Sequence, residues 1–137
     1  MYLAGYNKVM EIEIELYETA SGHCPFDDWF ESLRELHTRA KILTRLDRLK
    51  AGNFGDCKAL GDGIAELKIH YGPGIRVYYS KIGNKVVLLL CGGDKSSQTK
   101  DINKAKEYLK EYQLREKKHG KKQKLSRVAF RKTKGSR

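Results

Sequence analysis

Hydrophobic and charged residues alternate strictly from Met10 to Glu18. Ile12, Ile14 and Leu16 fall on one side and glutamates on the other, and a period of two predicts a strand. Met10 offers an alternative start for this ordered part. After the turn at Ser21–Pro25 the period changes. Pro25 suits the first helical position, where its missing N–H costs nothing, and Asp27 and Asp28 complement the helix dipole. Phe26, Trp29, Phe30 and Leu33 then recur at helical spacing. Ile42, Leu43, Leu46 and Leu49 mark a second helix over about Thr38 to Lys50, with Arg39, Lys41, Arg45 and Arg48 around its other side. Ala51–Gly52–Asn53 ends it.

Alternation returns over Ile64 to Tyr71 and again over Ile75 to Lys81, with the turn Gly72–Pro73–Gly74 between them. Lys85 to Cys91 is the most apolar segment and is expected to be the central strand. Gly92 to Ser97 reads as a polar loop. A last helix is expected from about Thr99 to Tyr112, with Ile102, Ala105, Leu109 and Tyr112 as its stripe. The order is β-α-α-β-β-β-α. It predicts an α+β fold, an antiparallel four-stranded sheet packed by an N-terminal helical hairpin and a C-terminal helix.

Charge sets the expected boundary. The chain of 137 residues carries +11. From Arg115 onward there are eleven Lys and Arg against one Glu, so residues 115–137 read as a basic, disordered or weakly helical tail. Residues 1–114 hold seventeen basic and sixteen acidic residues, and form the expected globular domain. A nucleic-acid site in this domain must therefore rest on where individual cations sit.

Other classes are excluded. The longest apolar run, Val86 to Cys91, is far short of the ~18 residues of a membrane helix. No signal-peptide core precedes the first strand, so a cytoplasmic protein without membrane contacts is expected. The three cysteines and four histidines show no metal-ligand spacing. No metal and no cofactor are expected.

The strand pair from Ile64 to Lys81 carries the candidate chemistry. Leu67, Ile69 and Tyr71 share a face with Ile75, Val77 and Tyr79. If that face meets the helices, Glu66, Lys68, His70, Arg76 and Tyr78 line the open side. Such a set suits metal-free RNA cleavage, in which the RNA's own 2′-OH attacks the adjacent phosphate. A base takes the 2′ proton, an acid protonates the leaving 5′ oxygen, and cations stabilise the developing charge. Arg76 can clamp a phosphate, Lys68 adds a point charge, and Tyr78 can stack on a base or donate a proton. Either Glu66 or His70 can serve as base. An ordinary polar sheet face has the same alternation.

Two further groups have two readings each. In the Gly92–Ser97 loop, Gly93 and Ser96 can present N–H groups to a phosphate, with Lys95 adding charge. Equally, a serine there can simply cap the last helix. Arg45 and Arg48 on the second helix form either an RNA contact or, more commonly, a solvated or partner-binding face.

Three stretches together carry a resemblance. They are Gly52–Asp56, Gly61 to Tyr79 (GDGIAELKIHYGPGIRVYY) and Leu90 to Gln98 (LCGGDKSSQ). Over roughly Met10 to Tyr112 the chain resembles the addiction-module killer proteins, phage Gp49-like members of the RelE/ParE toxin superfamily near HigB. The resemblance implies a RelE-like fold and a toxin of a type II toxin-antitoxin system. It implies an mRNA endoribonuclease acting on mRNA at the ribosome, and a cognate antitoxin. Lys68, Arg76 and Lys95 match the family's phosphate-binding positions. The family's helical tyrosine has no counterpart in Gln98–Ile102, since the first tyrosine there is Tyr108, so Tyr78 or His70 is the expected substitute. The same superfamily implies two alternatives: a ParE-like toxin that binds DNA gyrase without cutting RNA, and an inactive binding module.

Overall fold

The computed structural model describes residues 11–120. Met1–Met10 and the expected tail beyond Gly120 lie outside them. The strands are β1 (Glu13–Leu16), β2 (Cys57–Gly61), β3 (Ile64–Ile69), β4 (Ile75–Ile82) and β5 (Val86–Asp94). The helices are α1 (Pro25–Ser32), α2 (Leu36–Lys50) and α3 (Gln98–Gly120), with a 3-10 turn at Lys95–Ser97.

The fold class is α+β as expected, but the sheet differs. It has five strands in the order β1-β5-β4-β3-β2, and β1 runs parallel to β5. It is therefore mixed, not the expected four-stranded antiparallel sheet. The additional strand is β2, whose sequence Cys-Lys-Ala-Leu-Gly lacks the apolar alternation that marks a half-buried strand. It forms because β3 supplies backbone partners, pairing Cys57 with Leu67 and Lys58 with Glu66. The strand β5 lies inside the sheet, while β4 holds its centre.

Helices cover both faces, where one covered face was expected. On one side α1 and α2 pack Phe26, Ile42, Leu46 and Leu49 against Leu67, Ile69, Val77, Tyr79 and Leu89. On the other, Ala105 and Leu109 of α3 meet Tyr17, Ile64, Tyr78, Leu88 and Leu90. Burying each large aliphatic side chain contributes about 1.5–3 kcal/mol, so neither layer is dispensable. The all-apolar run of β5 is the physical cause, since Val87 and Leu89 face one layer while Leu88 and Leu90 face the other.

The α1–α2 joint is held by Arg39. Its Nε donates to the Leu33 carbonyl at 2.8 Å and its guanidinium lies over the Phe30 ring. The helix α3 is longer than its apolar stripe predicts and passes through the expected boundary at residue 114. Arg115 bonds the Glu18 carbonyl at 2.6 Å and Glu111 at 2.8 Å. Residues 115–120 belong to this helix.

Candidate functional site

Sheet register arranges the chemistry on the α3 side into two rows. Lys68 stands directly opposite Arg76, and Arg76 opposite Gly93. At the edge, the Lys68 N–H donates to the Asp56 carbonyl at 2.9 Å, which puts Asp56 at the end of the same row. The second row is Lys58, Glu66, Tyr78 and Cys91.

The helix α3 closes over the second row. Glu66 and Tyr78 are fully buried, which corrects the expectation that they line an open face. The reason is the second apolar layer beneath α3. Gln98, in the first turn of α3, donates from Nε2 to Glu66 Oε2 at 2.7 Å. The Tyr78 hydroxyl has no hydrogen-bond partner among the described residues. Burial, then the nearby Glu66 charge, pushes the Tyr78 phenol above its ordinary range, so it stays protonated. In this arrangement Tyr78 cannot stack on a base.

Arg76 sits at the boundary between the rows. Its side chain is 12% exposed, and its Nε lies 3.6 Å from Glu66 Oε2. That is an ion pair but not a hydrogen bond. The Nε is buried and has no hydrogen-bond partner among the described residues. Lys68 is half-buried and Lys95 is exposed. Neither forms an ion pair among the described residues. Lys95 reaches the same end of the sheet from the 3-10 turn, where a Cβ on Gly74 would lie 3.6 Å from its Cβ.

His70 follows the end of β3 and is exposed. Its Nε2 bonds Asp56 Oδ2. That hydrogen bond, with the charges of His70, Lys68 and Arg45, holds the Asp56 carboxyl below its usual range. Arg45 lies on the other side of the sheet. Its guanidinium bonds two backbone carbonyls, Lys68 O and, at 3.0 Å, Phe54 O. It fixes the loop that delivers Asp56. Arg48 is exposed on α2, away from the row.

The glycines serve close packing. A Cβ on Gly92 would overlap the Trp29 indole of α1, and one on Gly93 would overlap Asp101 of α3. Strand β5 therefore runs through both glycines to Asp94 instead of ending in a loop at Cys91. Asp94 caps the turn, accepting from the Ser96 N–H at 2.8 Å and the Ser96 hydroxyl at 2.6 Å. Ser97 completes the capping box. The Ser96 N–H is thus already engaged.

The structure therefore brings together Lys68, Arg76, Gly93 and Lys95 at one end of the sheet, with Glu66 and Tyr78 beneath α3 and His70 at the rim. Sequence reasoning missed Asp56 and Gln98. Asp56 had no signal, because the strand that places it was itself unrecognised. The pattern Asp94-x-x-Ser97 was a readable capping signature. Among the described residues there is no cluster able to hold a metal ion, and no helix long and apolar enough to cross a membrane.

Comparison with known proteins identifies a family and a relative. The model of the family described as phage-derived protein Gp49-like matches residues 28–116. An uncharacterized protein of Haemophilus influenzae is 53% identical over 81 residues, which are 59% of this chain and 82% of that relative.

Proposed function

The chain belongs to the phage-derived Gp49-like family, and we propose that it is the toxin of a type II toxin-antitoxin system, an endoribonuclease of RelE/HigB type that cleaves mRNA on the ribosome. The reading takes the fold as RelE-like and a cognate antitoxin as partner.

One observation carries it. Arg76 is nearly buried, its Nε has no hydrogen-bond partner among the described residues, and it faces Lys68 directly across the strand pair. Like charges directly opposite each other are destabilising. A phosphodiester held by both side chains relieves that opposition. Arg76 and Lys68 take its non-bridging oxygens, and Lys95 adds charge from the turn. As the 2′ oxygen attacks, negative charge grows on those oxygens and the fixed cations lower the barrier. The products are a 2′,3′-cyclic phosphate and a 5′-hydroxyl end. The near-neutral domain fits a protein whose substrate is presented by the ribosome.

A second reading draws on the sealing of Glu66 and Tyr78 beneath α3: a toxin of the same fold that inhibits DNA gyrase by binding. The test is to add the full chain separately to ribosomes loaded with mRNA and to gyrase with relaxed plasmid. Cleavage leaving cyclic-phosphate ends supports the nuclease. Intact RNA with blocked supercoiling supports the gyrase reading, and no effect in either assay supports an inactive module.

A further inference from the structure

We infer that His70 is the catalytic base of this site and that Asp56 is its positioning residue. The inference rests on the RNA-cleavage reading and deepens it by assigning the proton acceptor.

Elimination leads there first. Attack by a 2′-OH needs a group that accepts a proton near neutral pH beside the bound phosphate. Glu66 is sealed beneath α3, bonded by Gln98 and paired with Arg76. Tyr78 is sealed beside it. Asp101 is engaged by the Ser97 hydroxyl at 2.5 Å, and Asp94 by Ser96. Lys68, Arg76 and Lys95 are cations. His70 remains, with its side chain 74% exposed.

Geometry then supports it. His70 stands two residues from Lys68 on the same alternating face, about 7 Å along the chain. Asp56 closes the row on the β2 side, next to Lys68, and bonds His70 Nε2. With Nε2–H donating to the carboxylate, the lone pair is left on Nδ1, the tautomer a base needs. The dyad is also built to stay in place. Arg45 ties the Phe54 carbonyl to the Lys68 carbonyl, one on each side of Asp56. Gly55 turns there with φ +62°, where a Cβ would lie 2.8 Å from Arg45 Nη2. The loop carrying Asp56 is thereby locked to the strand carrying Lys68.

Nδ1 of His70 takes the 2′-hydroxyl proton as the 2′ oxygen bonds to phosphorus. The P–O5′ bond breaks, and the 5′ oxygen takes a proton from water. The imidazolium returns its proton to solvent. The charged group bonded to His70 is Asp56, on which the charges of Lys68 and Arg45 also act.

The test is single-turnover cleavage of ribosome-bound mRNA by the full chain from pH 5.5 to 8.5. Wild type is compared with His70→Gln, Asp56→Asn and Asp56→Glu, each checked by its thermal transition. His70→Gln is expected to lose at least about 100-fold. Asp56→Asn is expected to lose about tenfold, because an amide does not hold the Nε2–H as a carboxylate does, and Asp56→Glu restores part of the loss. Full activity in His70→Gln overturns the inference and leaves the nuclease reading standing. So does full activity in Asp56→Asn, or an equal loss in Asp56→Asn and Asp56→Glu, which would make Asp56 merely structural. Absence of cleavage by wild type overturns the reading and the inference together.

Discussion

Lys68 and Arg76 stand directly opposite each other on neighbouring antiparallel strands, two cations in cross-strand register. Arg76 pairs diagonally with Glu66, whereas Lys68 forms no ion pair among the described residues to offset the opposition. Lys68→Ala is therefore expected to raise stability by about 0.2–1 kcal/mol while lowering RNA cleavage. Urea unfolding and cleavage by the same preparation check this. A variant both less stable and fully active would count against the phosphate role.

Arg76→Ala removes the clamp and also leaves Glu66 buried without its counter-ion. Cleavage is expected to fall by about 100-fold or more, the scale of losing one oxyanion donor. The same change destabilises the fold by about 3 kcal/mol. Combining Arg76→Ala with Glu66→Gln restores folding, since the neutral amide leaves no buried charge unpaired, and the double variant stays inactive. Thermal melts and cleavage rates measured together separate the two effects.

Tyr78→Phe deletes a buried hydroxyl that has no partner among the described residues. Activity is expected to be unchanged and stability unchanged or higher by up to about 1 kcal/mol. A large loss of cleavage with an intact fold would show that α3 moves aside and exposes Tyr78 during the reaction.

Gly92→Ala drives a methyl into Trp29 and Gly93→Ala drives one into Asp101. Each is expected to cost about 1–3 kcal/mol, measured as a lowered urea midpoint. Substitution of Gly22, where nothing lies within 4 Å of a Cβ, tests the difference between strain at positive φ and overlap.

Acid weakens the turn before α3. The Ser96 hydroxyl, then the Ser96 and Ser97 N–H groups, hold the Asp94 carboxyl below its ordinary range. A depressed native value means the stabilisation is present above the unfolded carboxylate range, about 3.9, and is lost as pH falls through the native value. The urea midpoint should fall between about pH 5 and 2, and Asp94→Asn should flatten that part of the curve.

Several elements were legible because one period dominated each of them. The alternation of Ile12 and Ile14, the helical spacing of Ile42, Leu46 and Leu49, and the paired faces of Leu67 and Val77 all hold. Leu16 does not, being 42% exposed at the end of an edge strand. Strand β2 escaped because tertiary pairing, not side-chain pattern, forms it. The second helical layer had a signal: a strand apolar at every position, as from Val86 to Leu90, needs cover on both faces. Missing it put Glu66 and Tyr78 in solvent. At the site, Lys68 and Arg76 followed from alternation, since facing residues on paired strands share a side. Asp56 and Gln98 come from segments whose place is set only by the assembled sheet, so no local pattern could reach them.

Cleavage of RNA by Arg76 and its neighbours is tested most directly by mapping 5′-hydroxyl RNA ends across the transcriptome shortly after the chain is induced without an antitoxin, in wild type and in Arg76→Ala. New ends are expected inside translated codons in wild type and none in the variant. Arrested growth with unchanged RNA ends in wild type, or the same ends in both, would contradict cleavage by this site.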